Sequence, residues 1–212
     1  MEKTNVPSRT VELAASELPT FFNALPRLVT ENLTVRASGT LNEYLYLQSF
    51  YGCGSIWIEG DGGCVFQKGT GINACRVSVT LKNLEFSGRP ETHKDIVLIQ
   101  NSKYVSMQGC TVRGTGPNPG SSGNNGVRAA LCSMVMLADC SIMNCNNAML
   151  ASSSSIVTVY NEQDGGFSGS STGVHLYHGG IVMLSGKTPD LLGGNANTKN
   201  GGLIVKANGT LL

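Results

Sequence analysis

The chain has 212 residues, 41% of them hydrophobic, with 15 basic and 14 acidic side chains and a formal net charge of +1. So balanced a charge, with no basic stripe, argues against electrostatic capture of nucleic acid, and no apolar run approaches the roughly 20 residues that cross a bilayer. Twenty-seven glycines and only 14% charged residues suit a turn-rich β protein, and the N-terminus lacks the apolar core of a secretory leader.

The first predicted element is helical. Thr10 to Leu25 carries Glu, Leu and Ala with the apolar spacing of one amphipathic helix, restarted near Pro19. With the preceding tail it forms an N-terminal unit, residues 1–27, in which Phe21 and Phe22 are expected to cover the end of whatever follows, as terminal caps do in repeat folds.

From residue 28 a short apolar-x-apolar motif recurs. Leu33/Val35, Ile56/Ile58, Val79/Leu81, Val105/Met107, Val135/Leu137, Val157/Val159 and Val182/Leu184 start at steps of 23, 23, 26, 30, 22 and 25 residues. That period is too short for a βαβ unit and holds more than one strand signal, as in a solenoid of stacked β-coils. After three of the motifs comes Asn83, Gly109 or Asp139, a residue suited to a corner that β-branched residues resist. Apolar alternation then resumes as Leu84/Phe86, Cys110/Val112 and Cys140/Ile142, which should face the same interior. Leu45/Leu47, Val97/Ile99, Val127/Ala129 and Val174/Leu176 supply a third strand per coil. A helical reading fails because the runs are short, rich in Val, Ile, Thr and Ser, and cut by Gly and Asn. The expected fold is therefore an all-β, right-handed parallel β-helix of about seven coils over residues 28–186.

Residues 187–212 read as an irregular C-terminal segment with a terminal strand. In it, 203–211 (Leu-Ile-Val-Lys-Ala-Asn-Gly-Thr-Leu) closely copies 33–41 (Leu-Thr-Val-Arg-Ala-Ser-Gly-Thr-Leu), so the two should share a strand-turn conformation. The later copy is expected to leave the rod and pair with a neighbouring subunit. Three loops, from Gly88 to Lys94, Gly114 to Gly126 and Asp164 to Gly173, exceed what a turn needs and are places where solenoids carry recognition.

Seven cysteines are an odd number without a CxxC pair. Cys110 and Cys140 hold one interior position on successive coils, where cysteine packs as a small hydrophobe, so neither a metal nor another cofactor is expected. The outward residue between each inward pair gives the column Thr34, Trp57, Thr80, Ser106, Met136, Thr158 and Met183. None is charged, and a face with the only Trp and two Met suggests a covered one, most simply at a homotrimer interface.

No pair of carboxylates shares a surface row at the spacing glycoside hydrolysis needs. Asp61, Asp95, Asp139 and Asp164 read as turn or strand-end residues, and His93, His175 and His178 have no evident acid-base partner. No residue is assigned a catalytic role. Tyr44, Tyr46, Phe50, Tyr51 and Trp57 near the first coils and Tyr160 and Tyr177 near the last offer flat rings. Tyr44, Tyr46, Tyr51, Tyr160, Tyr177 and His175 are the candidate glycan-binding residues.

The N-terminal helix, the phrase from Glu31 to Leu41 followed by Phe50-Tyr-Gly-Cys-Gly-Ser-Ile-Trp-Ile58, and the Asn/Gly/Asp corners resemble the right-handed parallel β-helix domains of phage and prophage tail fibres and tailspikes, over residues 10 to 184. The resemblance implies a trimeric virion protein, or a prophage product in the bacterial cytoplasm, that recognises and sometimes hydrolyses host-surface polysaccharide. The pectin-degrading proteins of similar fold carry Asn-Thr-Asp, Asp-Asp, Gly-His-Gly and Arg-Ile-Lys motifs, all absent here, so their activity does not transfer. The leading expectation is a non-enzymatic attachment protein. A hydrolase or lyase with a site between subunits comes next, and a structural spacer third.

Overall fold

A computed structural model describes residues 6–88, 95–116, 125–161, 167–168, 170, 172–186, 197–198, 201–206 and 208–211. It is a parallel β-solenoid. Apart from the short pair Leu28–Val29 and Tyr51–Gly52, its strands fall into three long sheets, every neighbouring pair within each sheet running parallel. Sheet one has nine strands: Ser8–Ala14, Asn32–Ser38, Ser55–Gly60, Ser78–Lys82, Val105–Gln108, Met134–Ala138, Ile156–Asn161, Ile181–Gly186 and Leu203–Val205. Sheet two has six short strands, from Thr40–Leu41 to Phe167–Ser168. Sheet three holds Leu45–Gln48, Thr70–Asn73, Asp95–Gln100, Asn125–Ala130, Asn147–Ser152, Thr172–Tyr177 and Asn197–Thr198. Among the described residues six coils contain all three strands, and partial coils flank them; residues 187–196 of the seventh expected coil lie outside the described residues. At about 4.8 Å per step, nine strands make sheet one roughly 38 Å long.

The motif residues stack in register, for example Val79 beside Ile56 and Val105, and all seven motif pairs are buried. Leu84/Phe86, Cys110/Val112 and Cys140/Ile142 enter the same core as expected. The corners behave as read: Asn83, Gly109 and Asp139 have φ of 53°, 59° and 49°. A Cβ on Gly109 would lie 2.7 Å from Asn83 Oδ1, so this corner excludes a side chain where its neighbouring coil supplies an amide. Two third strands escaped the sequence, those at Thr70–Asn73 and Asn147–Ser152, because Thr70 and Ala151 hold inward positions that alternation of large apolar residues does not mark.

At the N-terminus the helix is shorter than expected. Ser8–Ala14 is a strand paired with Asn32–Ser38, Ala15–Glu17 is one 3-10 turn, and α1 covers only Leu18–Ala24. Thr10 to Ala14 also alternates with period two, and the ready-made edge of the next strand decides between the patterns. The three pieces imitate a coil, with α1 packed on Leu45–Gln48 where a sheet-three strand would lie. Phe22 is buried edge-on to Phe50, itself fully buried with the Arg27 guanidinium 4.8 Å from its ring centre, so α1 does cover the first coil.

Leu203–Val205 pairs with Ile181–Gly186 inside sheet one instead of leaving the rod. Five of the seven cysteines are buried, while Cys53 and Cys132 are exposed. Residues 89–94, 117–124 and 162–166, which contain most of the three long loops and His93, lie outside the described residues, as does 187–196.

Candidate binding face on sheet three

Sheet three's strands align as Asp95-Ile-Val-Leu-Ile-Gln100, Asn125-Gly-Val-Arg-Ala-Ala130, Asn147-Ala-Met-Leu-Ala-Ser152 and Thr172-Gly-Val-His-Leu-Tyr177. Val97, Val127, Met149 and Val174 fill the core. The next residue of each strand, Leu98, Arg128, Leu150 and His175, lies on the side away from the core and stacks in register, Leu98 and Leu150 being buried and Arg128 and His175 half-buried. Beside this column runs a polar row. Asn125 Nδ2 donates to Asp95 Oδ1 at 2.6 Å, Asn147 Nδ2 donates to Asn125 Oδ1 at 2.6 Å, and His175 Nδ1 lies 3.4 Å from Asn147 Oδ1. Arg128 Nη1 donates to Asp95 Oδ2 at 3.3 Å, across 33 residues of sequence.

Asp95 is only 3% exposed, so both carboxylate oxygens are held out of water by an amide and a guanidinium. An engaged carboxylate of this kind fixes the row and positions Arg128. It is not placed as a waiting general acid.

Toward the N-terminal end the same face carries two tyrosines. Tyr44 and Tyr46 have ring centres 6.3 Å apart, and Asn73 Nδ2 donates to the Tyr46 hydroxyl at 2.9 Å. The rings need Gly71 beneath them: a Cβ there would come within 2.7 Å of both the Tyr44 hydroxyl and Tyr46 Cδ2. Burial, then the negative charge of Asp95, then Tyr46, hold the Tyr44 phenol well above its ordinary range, which ties this end of the face electrostatically to the polar row. At the other end His175 and Tyr177 meet edge-to-face at 5.6 Å. From Tyr46 to Tyr177 the face crosses six strands, roughly 24 Å.

Four of the six glycan candidates, Tyr44, Tyr46, His175 and Tyr177, thus share one face. The other two do not. Tyr51 sits on the small sheet formed by Leu28–Val29 and Tyr51–Gly52, and Tyr160 is on the outer face of sheet one. The early aromatic group is dispersed: Phe50 is core, while Trp57 belongs to sheet one. Asp95, Asn125, Arg128 and Asn147 were missed. Their signal lies in the aligned third strands, where Asp/Asn/Asn/Thr precedes each inward residue by two places.

On sheet one Thr34, Trp57, Thr80, Ser106, Met136, Thr158 and Met183 form a continuous registered column. The adjoining outward column divides the face. Its N-terminal half is an ion-paired ladder, with Arg36 Nη1 3.7 Å from Glu12 and Lys82 Nζ 2.7 Å from Glu59. In the C-terminal half Tyr104, Met134, Met136, Tyr160, Met183 and Leu203 are exposed. A cavity of about 280 Å³ opens there between Tyr104, Met134, Met136 and Thr158. The largest described cavity, about 660 Å³, lies beside the ladder at Glu12, Arg36, Glu59 and Asp61, away from sheet three. Among the described residues no group of three His, Cys, Asp or Glu side chains is arranged to hold a metal ion, and no helix is long and apolar enough to cross a membrane.

No protein-family profile, curated protein or solved structure matches this chain.

Proposed function

We propose that this protein is a non-enzymatic, tail-fibre-like β-solenoid that binds host-surface polysaccharide along the outer face of sheet three. The observation that carries the proposal is the convergence of Tyr44, Tyr46, His175 and Tyr177 on one face, joined by the row from Asp95 to Asn147. Tyrosine rings offer flat apolar surface with a polar tip, and the half-buried Asn147 and Arg128 between them, held by the buried Asp95 and Asn125, suit hydroxyl-rich ligands. A span of roughly 24 Å favours an oligosaccharide over a single sugar. The decisive measurement is calorimetric titration with host cell-wall polysaccharide fragments of increasing length, together with an assay for new reducing ends. Binding that tightens with chain length, weakens in Tyr46→Ala and Tyr177→Ala, and yields no new ends supports the proposal. Turnover would favour the hydrolase or lyase, and inertness in both assays would favour the spacer.

The same proposal gives the C-terminal half of sheet one's outer face to lateral self-association, most simply as a trimer around the rod axis. It is supported by the placement of five exposed large side chains, Tyr104, Met134, Met136, Tyr160 and Met183, along one face of the sheet. Light scattering checks it: Met136→Glu and Met183→Glu should reduce the mass, because either charge would be desolvated in the interface. A mass unchanged in both would refute it.

A further inference from the structure

The two sequence copies at 33–41 and 203–211 agree at Leu, Val, Ala, Gly, Thr and Leu, with Lys206 in place of Arg36. Their glycines also agree, Gly39 having φ of 79° and Gly209 of 80°. Their faces do not. In the earlier copy Leu33, Val35 and Leu41 point inward and are at most 1% exposed. In the later copy it is Ile204 that stands on inward Val182, while Leu203 pairs with Ile181 and Val205 with Met183 on the outward columns. Ile204 is 1% exposed, whereas Leu203 and Leu211 are 44% and 63% exposed. The strand is displaced by one residue from the position its pattern specifies, and such a slip turns every side chain to the opposite face.

The difference between the copies is what covers them. Asn32–Ser38 lies between two strands, Ser8–Ala14 and Ser55–Gly60. Leu203–Val205 has Ile181–Gly186 as its one strand neighbour and, at Val205 alone, an antiparallel bridge to Leu211 closed by the Lys206 N–H donating to the Thr210 carbonyl at 2.8 Å, so among the described residues a sequence built for an interior strand ends the sheet. At the opposite end of the sheet Ser8–Ala14 also has one neighbour, and it is the strand that 33–41 already pairs with. In that pair Val11 lies beside Val35, and Glu12 lies beside Arg36, whose Nη1 is 3.7 Å from its carboxylate. Lys206 occupies the place of Arg36, and the Glu12 side chain remains 79% exposed.

We propose that 203–211 is a docking strand for the N-terminal end of a second copy of this chain. On contact the Val205–Leu211 bridge opens and the strand slips by one residue into the register of 33–41, turning Leu203, Val205 and Leu211 inward in exchange for Ile204. It then pairs in parallel with Ser8–Ala14 of the next molecule, Lys206 opposite the next molecule's Glu12. Because sheet one is parallel throughout, the joint continues it without reversing direction. The contact is heterologous and runs along the rod, separate from lateral association through the sheet face.

Sedimentation velocity of the intact chain over a concentration series tests this. Growth in whole multiples of the smallest species is expected with rising concentration. Lys206→Glu and Glu12→Lys should each weaken it roughly two- to five-fold, as befits an exposed ion pair, and the double variant should recover it. Leu203→Asp should weaken it more than about ten-fold, since it places a charge where apolar surface is buried. All three positions are exposed, and unchanged thermal midpoints would show that the fold is intact. A mass independent of concentration overturns the proposal. So does association in which the double reversal is no better than the single ones.

Discussion

Ser133→Ala should destabilise the rod by about 2 kcal/mol although it removes one oxygen. Ser133 is fully buried at the corner between sheets three and one, and its hydroxyl donates to the Ala130 carbonyl at 2.7 Å. The same oxygen accepts the Ser102 backbone N–H of the preceding coil at 3.3 Å, while Ser133's own N–H donates to Ser155 Oγ at 3.1 Å. Cys75 N–H to Ser102 Oγ, at 3.1 Å, extends the ladder. Alanine strands the buried Ser102 N–H, a loss of roughly 1–3 kcal/mol. For a chain of this length about 2 kcal/mol lowers the melting midpoint by roughly 4–8 °C. Urea unfolding followed by circular dichroism reads the change as a lower midpoint at unchanged slope. Ser106→Ala, at a half-buried outward position on sheet one, should stay within about 0.5 kcal/mol. A Ser133→Ala protein equally close to the parent would refute the ladder as a source of stability.

Four further outcomes follow from the site and core. Arg128→Met leaves the buried Asp95 carboxylate without its counter-charge and should cost about 2–3 kcal/mol, whereas Asp95→Asn keeps the amide row and should cost less than about 1 kcal/mol; equal losses in urea unfolding would contradict the asymmetry. Gly71→Ala should weaken polysaccharide binding at least as much as Tyr46→Ala by displacing both rings, with calorimetry as the check. Burial pushes the Cys64 and Cys145 thiols up to about 11, so these groups stabilise the fold fully below the ordinary thiol value near 9. Between pH 9 and 11 they ionise in the unfolded chain before the folded one, and that stabilisation is lost; a urea midpoint flat across this window would count against it. At pH 8 a thiol reagent should modify Cys53 and Cys132 in the native protein and the buried five only after denaturation.

The rod was legible because its signals are local and repeated. An inward pair every 22 to 30 residues and the positive-φ corners at Asn83, Gly109 and Asp139 each report on their own coil, and stacking only multiplies them. The helix boundary was not legible, since Thr10 to Ala14 fits both periods and is settled by the edge of Asn32–Ser38. Sheet three was half legible. Tyr46, His175 and Tyr177 announced themselves by residue type, but Asp95 looked like a strand opener. Its meaning depends on Asn125 and Arg128 of the next coil, and three places separate Asp95 from the strand position that Arg128 shares with Leu98. Alternation within one strand cannot show a contact that is diagonal between strands.

A parallel solenoid turns each sequence position into a line along the rod, so the binding and the assembly proposed above would not compete. A point on a coil recurs about every 4.8 Å on the same face, so a ligand or partner meets a row instead of a single residue. Rows on sheet three carry Asp95, Asn125 and Asn147 beside Arg128 and His175, while rows on sheet one carry Met136, Thr158 and Met183. The two sheets are different sides of the same coil. Covering sheet one laterally therefore leaves Tyr46, His175 and Tyr177 of sheet three as accessible as before, and stacking at Leu203–Val205 and Ser8–Ala14 uses only the ends of the rod. Each copy added, sideways or lengthwise, would multiply the rows proposed to bind polysaccharide without altering them, and linked sites of modest individual affinity gain strength together when one long polymer can reach several of them.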